Sequence, residues 1–174
     1  MASINTVGSY TDYFRQKAIA DPDLQHNPLG EDGDAPIGSM HFNTWSVDDI
    51  VTGINGQLGF PALLLEMYET SLQEQSTYDI KGVRQGAFTI LTMAQVQQSQ
   101  KARIAAYSLT ETIMMRTLQT MWEDHYGENA NRCTAQFENL DFSNMQLMPV
   151  GPVQNDKYGW RCEFTFRISN LIKP

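Results

Sequence analysis

Three histidines, His26, His41 and His125, and two cysteines, Cys133 and Cys162, are the residues of this chain best suited to hold a metal or to activate a nucleophile. Their spacing supports neither role. No two histidines are close, and neither a His-Glu-x-x-His nor a Cys-x-x-Cys arrangement occurs, so the zinc templates fail. A site from His125 and Cys133 would need two further ligands that the sequence does not name, which leaves helix-end and core roles for the pair. The run Glu31-Asp-Gly-Asp34 resembles part of a calcium loop but lacks the alternating ligands and the closing glutamate, so it reads as a solvated loop. Gly53, Gly56 and Gly59 recur every third residue, yet a strand follows them instead of the helix that a phosphate cradle needs. No Gly-x-Ser-x-Gly elbow is present, and no cysteine has a histidine nearby in sequence. Neither a metal nor a cofactor is expected.

Glu111 is the polar residue that stands out. It falls among apolar residues of a helical segment, and three readings are open for it. It can reach water from the edge of the apolar arc, form an ion pair across a subunit contact with Arg84 or Arg103 of a neighbour, or serve as a catalytic carboxylate. The last would require a composite site assembled by folding, around Glu111 with His125 or His41.

The elements that must position these residues are legible from periodicity. From Trp160 the chain alternates, with Trp160, Cys162, Phe164, Phe166 and Ile168 on one side and Arg161, Glu163, Thr165, Arg167 and Ser169 on the other. Strand side chains alternate between faces, so this is a strand with one buried and one polar face. Phe60-Pro-Ala-Leu-Leu-Leu-Glu-Met-Tyr68 is apolar without alternation and predicts a strand covered on both sides over part of its length. Gly86–Met93 is its expected antiparallel partner, across a long polar connection at 70–82. Residues 144–150 make a further extended stretch, and the turn at 155–159 closes a second hairpin with the terminal strand.

The main helix is expected over 99–126. Taking Ile104 as the origin of a helical wheel, Tyr107, Met114, Met115, Leu118, Met121 and Trp122 fall in an arc of about 120°, while Leu109 and Ile113 form a second stripe on the far side. Two apolar faces imply two neighbours, within the fold or in another subunit. His125 and Gly127 suit the negative end of such a helix. Ser46-Val-Asp-Asp49 resembles a capping box ahead of Ile50, Val51 and Ile54. Residues 1–40 read as a peripheral arm. Ser9 caps a short helix with apolar positions Tyr10, Phe14, Ala18 and Tyr13, Asp21-Pro22 ends it, and loop composition follows. The expected architecture is α+β, with a single domain at 41–174: a small antiparallel sheet of two hairpins against the long helix and shorter helices.

Bulk properties narrow the function classes. The 174 residues carry 12 basic and 20 acidic side chains, for a net charge of -8. That balance opposes a surface built to neutralise phosphates or to bind anionic lipid. No apolar run approaches the ~20 residues of a membrane span, and no basic-then-apolar leader opens the chain, so a protein folded in the cytoplasm with reduced cysteines is expected.

The succession Phe60-Pro-Ala-Leu-Leu-Leu-Glu66, Gly86-Ala-Phe-Thr-Ile-Leu91, a long helix containing Thr110-Glu-Thr-Ile113, and a hairpin ending Tyr158-Gly-Trp-Arg-Cys-Glu-Phe164 resembles the tail-terminator and related head–tail joining proteins of tailed bacteriophages. The resemblance spans roughly residues 46–169 and rests on element order and strand flavour; the arm before Met40 departs from it, which leaves a neck or tail-completion protein as well as a terminator proper. It implies a virion protein that assembles into a homo-oligomeric ring, commonly a hexamer, between tail-tube and connector or neck proteins. It further implies contact surfaces on the two-faced helix (Leu109, Ile113, Glu111, with Arg84 and Arg103) and on the segments 21–40 and 70–82. A non-phage assembly or binding module and a small enzyme built around Glu111 and His125 are the alternatives from other classes.

Overall fold

A computed structural model describes residues 6–31, 34, 36, 38–44, 58–76, 79–94, 99–126, 140–154 and 156–172. Among the described residues two α-helices, α1 (Val7–Ala20) and α2 (Gln100–Tyr126), accompany five strands: β1 (Met40–Asn43), β2 (Leu58–Ser76), β3 (Asp79–Met93), β4 (Leu140–Val153) and β5 (Lys157–Ile172). The strands form one sheet in the order β1-β2-β3-β5-β4. The α+β class and the helix packed on the sheet are as expected. Both hairpins are present, β2–β3 and β4–β5, and they join because β3 pairs with β5. The sheet is mixed, however, and not purely antiparallel, because β1 adds to β2 in parallel. The proposed helix after Ser46 lies outside the described residues.

Both helices cover the same face. Tyr10, Phe14 and Ala18 of α1 and Ile113, Met114 and Met121 of α2 close over Leu63, Leu65, Phe88, Ile90, Cys162, Phe164 and Phe166. β2 is buried on both faces from Ala62 to Leu65, since Ala62 and Leu64 join Met40, Leu58, Leu91 and Val153 in a second cluster. The alternation of β5 holds at Cys162, Phe164 and Phe166, all buried. Cys162 is a free thiol, and burial pushes its pKa up to about 12, so at neutral pH it is a small apolar core residue.

Two expectations give way. The N-terminal helix is a core element, not a peripheral one. Thr6 caps it and Ser9 returns the bond as the third helical residue. Its aromatic face is buried, and Tyr10 donates a hydrogen bond to the Glu66 carbonyl (3.1 Å), beside a bulge between Glu66 and Glu69. A Cβ at Gly86 would stand 2.7 Å from the Tyr10 hydroxyl and 2.9 Å from the Phe164 ring, so the close seat of α1 requires glycine there. The polar stretch 70–82, expected as a connection, is instead mostly strand: Glu69↔Gln85 through Ser76↔Asp79 continue the β2–β3 ladder. Residues 69–73 are exposed, Leu72 included. A ladder is held by backbone hydrogen bonds, so beyond the core nothing imposes an apolar alternation.

Asp21 fastens α1 to α2. It ends α1, accepts the backbone N–H of Asp23 (2.9 Å) and Leu24 (3.2 Å), and takes two bonds from Arg116 of α2, both 2.9 Å. Asp21→Ala is expected to lower the unfolding free energy by about 2 kcal/mol, because it leaves a buried amide unsatisfied and removes a bidentate charged pair. Urea titration of the variant checks this, and a loss under a few tenths of a kcal/mol would refute the tie.

Candidate interaction surface

The face that α2 turns to the sheet is built from small residues. Ala106, Thr110 and Thr117 are buried with Ile113, Met114 and Met121. A buried hydroxyl needs a partner, and each threonine finds it in its own helix: Thr110 donates to the Ala106 carbonyl (2.8 Å) and Thr117 to that of Ile113 (3.0 Å). Short side chains let the helix lie close on the strands. Higher up, Trp160 donates its indole N–H to the Tyr107 carbonyl (3.2 Å).

That seating leaves several large apolar residues outside. Ile104, Met115, Trp122 and Tyr126 are exposed by 57%, 53%, 51% and 57%. At 100° per residue they share an arc of about 40°, and at 1.5 Å per residue the stripe runs about 33 Å along the helix. Glu111 lies on the same stripe and is exposed; Arg103, near the start of the helix, is exposed as well but about 100° round it from Ile104. Trp122 and Tyr126 sit ring against ring at 5.6 Å, and the Tyr126 ring meets those of His125 (4.3 Å) and Phe142 (5.8 Å).

The residues proposed as an interface from sequence are therefore redistributed. Ile113 has no exposure and belongs to the chain's own core, and Leu109 is half-buried against that core. Arg84 is enclosed within its own fold, its guanidinium 4.2 Å above the Tyr68 ring, so it is not placed to meet Glu111 of a neighbour. Burial lowers its pKa. Glu111 and Arg103 remain at the surface. Glu111 and His125 are 14 residues apart on one helix, a rise of about 21 Å, so the two do not share a site. His41 is on β1, where its Nδ1 donates to the Pro61 carbonyl (2.7 Å).

Sequence reasoning placed Ile104, Met115 and Trp122 in the core arc and so missed the stripe. The signal was Glu111 itself: a carboxylate in the middle of an apolar arc marks a face turned to water.

The opposite face of the sheet carries a charged cluster. Arg161 binds both oxygens of Glu66 on β2 (2.7 and 2.9 Å) and also reaches Glu163; these bonds, that to Glu66 foremost, hold the Arg161 pKa above the ordinary arginine value. With Glu69, Gln85 and Gly86 these residues line a shallow depression. A guanidinium spanning two carboxylates fixes strand positions. Among the described residues no group of three or more His, Cys, Asp or Glu is arranged to hold a metal ion, and no helix is long and apolar enough to cross a membrane.

No protein-family model matches the chain, and comparison with known proteins and with solved structures finds no match.

Proposed function

We propose that this protein is a non-catalytic structural subunit that assembles with copies of itself through the outer stripe of α2. We place it in the virion of a tailed bacteriophage, as a ring between the tail tube and the connector or neck proteins. The observation that carries the assembly is the stripe Ile104–Met115–Trp122–Tyr126. Four large apolar side chains half open to water, on one helix face and rimmed by charge, are the composition of a contact surface. A second copy suits it, because the same helix exposes Lys101 and Arg103 at one end and Glu111 and Glu123 along the rest. It thus carries both halves of a set of ion pairs. The phage assignment is supported by the order of elements, two hairpins around a long helix, and by the acidic balance, which spares passing DNA any electrostatic grip.

The test is solution mass by light scattering over a range of concentrations, for the natural chain and for a Met115→Glu, Trp122→Glu variant. A discrete ring-sized species is expected for the first and a folded monomer for the second. Each substitution should weaken association at least ~30-fold, the effect of losing about 2 kcal/mol at a central anchor. A natural chain that stays monomeric would favour a binding module acting alone, and a variant of unchanged ring-sized mass would move the contact to another surface.

A further inference from the structure

His26 lies in the segment between α1 and β1, and its ring has no exposure to solvent. Both ring nitrogens are engaged. Nδ1 accepts the backbone N–H of His41 on β1 (3.1 Å), so it carries no hydrogen, and Nε2 faces Glu31 Oε1 at 2.8 Å, so it carries the hydrogen and donates. The imidazole is therefore neutral where it stands. A second proton could go only to Nδ1, where it would point at the His41 N–H and replace a hydrogen bond by two opposed donors.

The charged and titratable groups around the ring come from three segments. Arg15 of α1 binds both oxygens of Glu31 (2.7 and 2.8 Å) and also Asp12, Glu31 follows the 3-10 turn Pro28–Gly30, and His41 is on β1. Glu31 favours the charged ring, but its own charge is already met by Arg15. Burial outweighs it, so the His26 pKa lies below the ordinary value, while Glu31 is held below the usual carboxylate range and stays ionised at mild acidity.

We infer that the contact of His26 with His41 is a pH-sensitive latch on β1, the strand that covers the edge of β2 at Leu58–Leu64. While His26 is neutral, its Nδ1 holds the start of β1, and the His41 ring ties the same residue to Pro61 of β2. Release of β1 frees Nδ1, and the ring then takes its second proton in water. The sign follows from this. The closed form binds fewer protons than the open one, so acidification below about pH 6.5 favours opening, by up to tenfold per unit until the pKa of the closed form is passed. Between pH 7 and pH 5 the ceiling is about 25-fold.

Backbone hydrogen exchange of the full chain, corrected for the intrinsic rate at each pH, reads this directly at the amides of His41 and Phe42, with Cys162 of β5 as the reference. Opening of β1 relative to β5 should rise more than about threefold from pH 7 to pH 5, toward that ceiling. His26→Asn keeps an acceptor but removes the titration, and should flatten the response. If that variant does not fold, the natural chain decides alone. The ring resonances of His26 must take up the proton over the same pH range in which the β1 amides lose protection. A flat response in the natural chain, an equal response in the folded variant, or a ring that titrates without any change at His41 would each overturn the latch.

Discussion

Replacing Ile113 with aspartate is expected to abolish the cooperative folding of the chain. Ile113 has no exposure, lies at the middle of α2, and packs into the cluster that joins both helices to the sheet. The substitution removes the burial of an isoleucine, worth about 2–5 kcal/mol on truncation, and puts a carboxyl group in its place with nothing to ionise against. A domain of this kind is stable by about 5–15 kcal/mol, so the sum takes most of it. Far-ultraviolet circular dichroism during urea titration should show no sharp transition, whatever the assembly state. Met115→Glu, two residues further along the same helix, should unfold within about 0.5 kcal/mol of the natural chain when both are measured as monomers, as surface changes do. A folded Ile113→Asp monomer would return Ile113 to the subunit interface and overturn the orientation of α2.

Phe14→Ala should cost about 3–5 kcal/mol, the range for deleting a fully buried aromatic side chain. Its ring meets those of Tyr10 (5.4 Å), Phe88 (5.2 Å) and Phe164 (5.8 Å), so its loss opens a cavity between α1 and the two central strands. For a chain of this length the midpoint of thermal unfolding should fall by roughly 10 °C. A shift of a degree or two would mean that α1 adds little to the core and is the arm its flanking composition suggests.

The parts of the fold that were legible are those in which side-chain burial enforces a pattern. β5 alternates because one face meets the helices, and β2 is continuously apolar where both faces are covered. The boundaries of α2 were readable from its polar flanks and from His125 and Gly127. Its orientation was not, because the buried face uses Ala106, Thr110 and Thr117, whose hydroxyls are satisfied locally and whose small size seats the helix. A wheel weighted by large apolar residues turns toward Met115 and Trp122 instead. That error placed the candidate surface on Leu109 and Ile113 when the exposed stripe begins at Ile104. The parallel edge strand was unreadable for another reason: four residues, Met40–Asn43, are too few to show a period, and what places them is a histidine 15 positions earlier. Likewise the ladder beyond Glu69 is written in backbone hydrogen bonds, which leave no mark in side-chain pattern.

The pairing of β3 with β5 sets the order in which this protein can be made. β2 and β3 emerge from the ribosome together and can zip as a hairpin, but the second neighbour of β3 is translated only after α2 and β4. Throughout that interval β3 has one unpaired edge, and Tyr10 and Phe14, synthesised near the start, wait without the Phe164 and Phe166 rings they pack against. Until β5 is made, one edge of β3 therefore stays open to pairing with other chains.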